Sequence, residues 1–128
     1  MKHSYNQRRE YKIMARKIGS NWVDLFQGNT EFYSTHYWDV LTEMWYADKP
    51  VMVSDALKFM SSIKSPFTAR KYLQRLIDEK FVIEKKNPSD ERSILVELSK
   101  DITAKLDTFF DSAIEELFVA VDNIKSKK

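Results

Sequence analysis

The sequence predicts a mainly α-helical fold with a small β-wing, and three observations carry that expectation. Two glycines and three prolines in 128 residues leave few breaks, so most of the chain should be helix. The stretch from Ser65 to Leu98 reads as a helix that runs into a hairpin. Ahead of it stand a short helical segment and a short turn, and short helix, turn and longer helix is the helix-turn-helix order. The expected architecture is one domain, 1–128, with a winged helix-turn-helix core over about 35–100 and longer helices over about 7–27 and 100–125.

The first helix is expected from about Gln7 to Phe26, because Tyr11, Met14, Ile18, Trp22, Leu25 and Phe26 form one apolar stripe. Gln27-Gly28-Asn29 ends it, with Gly28 suited to a left-handed cap. A second helix spans Thr35 to Ala47, capped by Ser34 or Thr35, with Trp38, Leu41, Met44 and Trp45 as its buried face. Asp48-Lys49-Pro50 is a turn. Ser54 caps a short third helix, Asp55 to Met60, and Ser61 to Lys64 turn the chain into the next one.

That fourth helix has a clear start. Ser65 can accept a hydrogen bond from the first free amides, and Pro66 sits where its missing N–H costs nothing. Ala69, Leu73, Leu76 and Ile77 recur at helical spacing and face the core, which leaves Arg70, Lys71, Gln74 and Arg75 on other faces as a basic, hydrogen-bonding surface. Phe81-Val82-Ile83 begins an extended run, Asn87-Pro88-Ser89-Asp90 turns, and Ile94, Val96 and Leu98 return on one side of a strand. Ser99 then caps a long last helix. Its apolar positions, among them Ile102, Leu106, Phe109, Phe110, Ile114, Leu117 and Phe118, are spaced by threes and fours, and Lys125, Lys127 and Lys128 suit the negative end of the helix dipole.

Composition narrows the function classes. The content is that of an ordinary globular protein, 43% hydrophobic and 31% charged. With no cysteine, this chain has no disulfide, thiolate metal site or thiol switch. No apolar run approaches the roughly 18–20 residues that span a membrane. The charged N-terminus has no apolar segment behind it, so it is not a secretory signal, and a cytoplasmic location is expected. Net charge is only +2 but unevenly spread: the first helix and the stretch from Lys64 to Arg92 are basic, and the last helix is acidic. This points to a polyanionic partner on one side, with ordinary solvated faces as the bland reading.

At the Ser65–Leu98 stretch the chain resembles the MarR family of winged-helix transcriptional regulators. In that family a recognition helix runs into a wing with an Asp-x-Arg tip, then a branched apolar strand and a Leu-Thr that opens the next helix. Here the tip is Asp90-Glu91-Arg92, the strand Ile94-Leu95-Val96 and the closing pair Leu98-Ser99; Val53-Ser54-Asp55-Ala56-Leu57 resembles the first helix of the reading pair. The family often has a glycine at the end of the recognition helix, where this chain has Lys80.

The resemblance implies sequence-specific binding of double-stranded DNA at a pseudo-palindromic operator. Lys64, Ser65, Thr68, Arg70, Lys71, Gln74 and Arg75 would belong to the reading helix and its entry, and Lys85, Lys86, Asp90 and Arg92 to the wing. Asp90 can hold the Arg92 guanidinium, and an arginine suits a narrow minor groove. It also implies a homodimer through the first and last helices, with Ile102, Leu106, Phe109, Phe110, Ile114, Leu117 and Phe118 as the contact stripe; the alternative is that the two helices pack only on each other within one chain. Relatives often hold a small aromatic effector between the dimer helices and the DNA-binding lobe. The aromatic residues Trp22, Phe26, Phe32, Tyr33, Tyr37, Trp38, Trp45 and Tyr46 fit that role or, as the favoured reading, core and interface packing.

No enzyme is expected. His3 and His36 are the only histidines and stand far apart, too few for a zinc site, and no phosphate loop or nucleophile elbow is present. Glu115 and Glu116 are adjacent on a helix and point apart. No cofactor is expected. The rival reading is a winged-helix protein-interaction module without DNA binding.

Overall fold

The computed structural model describes residues 2–127; Lys128, read above as a lysine closing the last helix, lies outside them. The chain divides into two compact units, Met1–Thr30 with Asp107–Lys128, and Glu31–Leu106.

In the first unit, α1 (Tyr5–Leu25) begins two residues before the expected start at Gln7, because Ser4 and Gln7 form a capping box. The Gln7 amide donates to Ser4 Oγ (3.1 Å) and the Ser4 amide to Gln7 Oε1 (3.0 Å). Its end takes two left-handed residues, Gln27 (φ 58) and Gly28 (φ 84), where the sequence pointed to Gly28 alone. The Gln27 amide donates to the Asp24 carbonyl and the Gly28 amide to that of Val23, which satisfies two carbonyls left over by the helix. Against α1 runs the later part of α5 (Lys100–Ser126), antiparallel. Gln7 Nε2 donates to the Ile124 carbonyl (3.2 Å), Asn123 Nδ2 to Glu10 Oε2 (3.3 Å), Lys17 pairs with Glu116 (3.1 Å), and Trp22 packs edge-on against Phe109. The partners climb α1 as they descend α5.

The second unit opens on a 3-10 turn (Thr30–Phe32) and α2 (Thr35–Ala47), which Ser34 caps, one of the two candidates the sequence offers. The buried face of α2 is Tyr37, Val40, Leu41 and Met44, one step round from the expected face; Trp38 is exposed and Trp45 half-buried. Two overlapping apolar stripes are written into this helix, and the core takes the one that carries Val40. A strand absent from the sequence reading follows, β1 (Val51–Met52), and leads directly into α3 (Val53–Phe59). Met52, extended, therefore occupies the N-cap position with no side-chain bond, and Ser54 is not the cap. Two residues are too few to show an alternating pattern.

The fourth helix, α4 (Pro66–Asp78), starts as the sequence predicts, with Ser65 Oγ accepting from the Thr68 amide and Pro66 in the first turn. It ends in the same way as α1. Lys80 is left-handed (φ 64), its amide donates to the Ile77 carbonyl (2.9 Å), and the Phe81 amide donates to that of Leu76 (3.0 Å). The wing is the hairpin of β2 (Val82–Lys86) and β3 (Ile94–Leu98), registered from Val82↔Leu98 to Lys86↔Ile94, and β1 pairs with the other edge of β3. Of the expected inward side of β3, Val96 is buried, Leu98 half-buried and Ile94 exposed. Ser99 caps α5 by accepting from the Ile102 amide (3.1 Å), while its own amide donates to the Phe81 carbonyl (2.9 Å), which ties the helix start to the base of the wing.

Lys80 adopts the conformation for which glycine carries no Cβ penalty, at a cost of about 1 kcal/mol. Lys80→Gly should therefore raise the free energy of unfolding by up to about that amount, read as a higher urea midpoint at unchanged slope. A lower midpoint would contradict this account of the joint.

Candidate nucleic-acid interface

The core side of α4 is Ala69, Leu73 and Leu76, all buried. Opposite it, Phe67, Arg70, Lys71 and Gln74 are exposed at steps of three and four, so they form one stripe. Arg70 makes no ion pair among the described residues, Lys71 Nζ stands 4.7 Å from the Phe67 ring centroid, and Gln74 Nε2 donates to Asp78 Oδ1 (2.9 Å). Lys64 is exposed just ahead of the helix. Ser65 spends its hydroxyl on the cap, and Thr68 is half-buried beside it. Phe67 escaped the sequence reading, which sorted α4 by charge and core periodicity; its signal was a large apolar residue outside the buried stripe.

Arg75 departs from the expectation. Its Nε and Nη2 donate to the two carboxylate oxygens of Glu31 (2.8 and 2.9 Å), Nη1 donates to Glu79, and the guanidinium lies 5.5 Å from the Phe32 ring centroid. The hydrogen bonds it donates to the Glu31 and Glu79 carboxylates raise its pKa above the ordinary arginine value. A guanidinium whose forks are filled in this way has little donor capacity left over, so within the chain Arg75 anchors the helix.

Around that anchor lies an aromatic cluster. Phe32 packs edge-on against Tyr37 (5.0 Å) and Phe81 (5.3 Å), and the Tyr72 ring of α4 lies 3.9 Å from that of His36 and 5.4 Å from that of Tyr37. Burial, reinforced by the Glu31 carboxylate and opposed by Arg75, pushes the Tyr37 phenol up to about 12. Burial also pulls the His36 imidazole below its ordinary value, against the opposing pull of Asp39, and its Nε2 stands 3.2 Å from Ser34 Oγ.

On the wing, Lys85 is paired with Glu97 across the strands (2.8 Å), while Lys86 and Arg92 are exposed without an ion-pair partner among the described residues. The tip is held by its own side chains. Asn87 Oδ1 accepts from the Ser89 amide (3.0 Å) and Asn87 Nδ2 donates to Ser93 Oγ (2.9 Å). Asp90 Oδ1 accepts from the Arg92 backbone amide (3.0 Å). Asp90 thus fixes the backbone from which Arg92 projects, in place of the expected grip on the guanidinium.

The expected dimer stripe divides. Ile102 and Leu106 are fully buried and Phe109 nearly so within one chain, so they are core and cannot face a second copy. Phe110 is half-buried, whereas Ile114, Leu117 and Phe118, with Val119 beside them, are 46–58% exposed. The aromatic residues of the N-terminal third divide as well. Trp22, Phe26, Phe32 and Tyr37 are buried in the core, and Tyr33, Trp38 and Tyr46 are exposed. Among the described residues no helix is long and apolar enough to cross a membrane, and no group of three or more His, Asp or Glu side chains is placed to hold a metal ion.

No protein-family model matches the chain, and no curated protein matches it. Solved structures do. A variant of MarR from E. coli superposes with a TM-score of 0.59 over 94% of this chain and 81% of its own, at 17% identity. The fold is the MarR-type winged helix. A MarR variant complexed with operator DNA superposes at 0.54, with 17% identity over 80% of this chain and 70% of its own. Bordetella bronchiseptica BpsR, described for regulation of its DNA binding by 6-hydroxynicotinic acid, also matches at 0.54, with 18% identity over 88% of this chain and 74% of its own.

The site has a built-in acid sensitivity whose sign follows from His36. Its folded-state pKa is depressed, so its contribution to stability is complete above the ordinary 6.5 and is lost as pH falls below that towards the folded value. The loss in urea midpoint between about pH 7.5 and 5 should be smaller in His36→Phe than in the unaltered chain. Equal losses would remove His36 as a cause.

Proposed function

We propose that this chain is a homodimeric, sequence-specific DNA-binding transcriptional regulator of MarR type, which reads a pseudo-palindromic operator. The observation that carries this is the one-sidedness of α4. Behind the helix, Arg75 is consumed by Glu31 and Glu79; in front, Arg70, Lys71 and Gln74 stand exposed in one stripe. Such a face offers donors to base edges in a major groove, and Lys64 with Lys86 adds positive charge suited to phosphates. Arg92, on a tip whose backbone is tied by Asp90, is the residue we assign to the flanking minor groove. The operator complex of a MarR of the same fold supports the reading.

The homodimer rests on the apolar stripe that α1 and α5 leave uncovered although they pack on each other. Ile114, Leu117 and Phe118 recur at steps of three and four on α5, a spacing suited to a second helix surface. Leu117→Glu and Phe118→Glu alter exposed positions, so the fold should survive while self-association weakens. Sedimentation at roughly 10 µM, some tenfold above a micromolar Kd, should show a dimer for the unaltered chain and mostly monomer for the variants. A monomeric unaltered chain, or dimeric variants, would remove this interface.

DNA reading is tested by binding to a selected site and to a scrambled duplex across a salt series. Lys86→Ala should weaken both and lower the salt slope by about one. Arg70→Ala and Lys71→Ala should narrow the gap between the two duplexes, each by about 1–3 kcal/mol if the lost contact is a good base contact. Elution of the unaltered chain from DNA at low salt, with no preference for any sequence, would favour the interaction-module reading.

A further inference from the structure

Phe67 is 70% exposed, the most exposed phenylalanine among the described residues. It stands in the first turn of α4, at the head of the stripe that continues through Arg70, Lys71 and Gln74. An apolar ring costs least when a partner covers it, and the exposed residues that continue its stripe, Arg70, Lys71 and Gln74, are cationic or hydrogen-bonding. The Lys71 ammonium, 4.7 Å from the ring centroid, covers one face and leaves the other face and the edge open. The neighbourhood is thus suited to a polyanion, yet the ring itself needs an apolar group. On the major-groove floor of DNA only one base supplies such a group, the 5-methyl of thymine.

We propose that Phe67 is a specificity-determining residue that packs against a thymine methyl in each half-site, with Lys71 holding the ring in place and offering its ammonium to a neighbouring acceptor edge. The inference rests on the DNA-binding reading given above. It assigns Phe67 a discriminating role and not a general contribution to affinity, because a phenyl ring gains nothing from phosphate. Leucine at this position would keep part of the contact, and alanine would lose it.

The test uses a duplex selected by this protein from random-sequence DNA, with each thymine replaced in turn by deoxyuridine, which differs only by the missing methyl. One thymine per half-site should stand out, its replacement lowering the affinity of the unaltered chain about fourfold, the worth of one buried methyl group. Phe67→Ala should bind the parent duplex about tenfold more weakly and lose that sensitivity, while Phe67→Leu keeps part of both. Affinity for scrambled DNA should stay unchanged in both variants, which also shows that they fold. If the variants bind the selected duplex but respond to every deoxyuridine as the unaltered chain does, the inference falls and the DNA-binding reading stands. If no half-site contains a fixed thymine, the inference falls likewise. If no sequence is selected at all, both fall together.

Discussion

The buried ring of Phe32 is the contact on which the geometry of the second unit, Glu31–Leu106, depends. It is 2% exposed, and three elements meet on it. Tyr37 of α2 and Phe81 at the base of the wing present their rings edge-on, and Arg75 of α4 lays its guanidinium over it. Edge-on aromatic contacts add only about 0.5–1.5 kcal/mol each beyond the area they bury, but they fix relative orientation. A half-exposed ion pair such as Arg75 with Glu31 is worth little in free energy when alone. Here its two parallel hydrogen bonds hold the guanidinium in one orientation and tie α4 to Glu31, while the buried Ala69, Leu73 and Leu76 set how the helix is turned about its axis.

The outward face is a consequence of that orientation. Once Ala69, Leu73 and Leu76 face the core and Arg75 is held, Phe67, Arg70, Lys71 and Gln74 have no inward option. The same economy governs the wing. Lys85 is balanced by Glu97, and Asp90 is spent on a backbone amide, so the exposed positive charge of the hairpin falls to Lys86 and Arg92. The charges that look interchangeable in the sequence thus sort into structural and available ones by what lies beside them.

Much of this was legible in the residues, for identifiable reasons. Ser34, Ser65 and Ser99 cap the helices they were expected to cap, because a serine followed by apolar residues at helical spacing is a local signal. Lys80, left-handed, stands where the resemblance puts a glycine, so that joint was marked in the sequence only by comparison with the family pattern. The rest needed tertiary information. Strand β1 exists only because β3 lies beside it, and Met52 then displaces Ser54 from the cap. The retirement of Arg75 depends on Glu31, 44 positions earlier in the chain, which no local pattern connects to it. The choice of Tyr37 and Val40 over Trp38 and Trp45, and the withdrawal of Ile102 and Leu106 from the expected dimer stripe, likewise follow from which face the core covers.

The central claim is that α4 presents one face to DNA while Arg75 holds it from behind. The most direct measurement is a nuclear magnetic resonance titration of the isotopically labelled chain with a short duplex, read residue by residue. The account predicts shifts along Phe67, Arg70, Lys71 and Gln74 and at the wing from Lys86 to Arg92, with the Arg75 Nε–H resonance staying in place because its carboxylate partners do not change. Shifts confined to the exposed stripe of α5, with α4 unmoved, or release of the Arg75 resonance on binding, would contradict it.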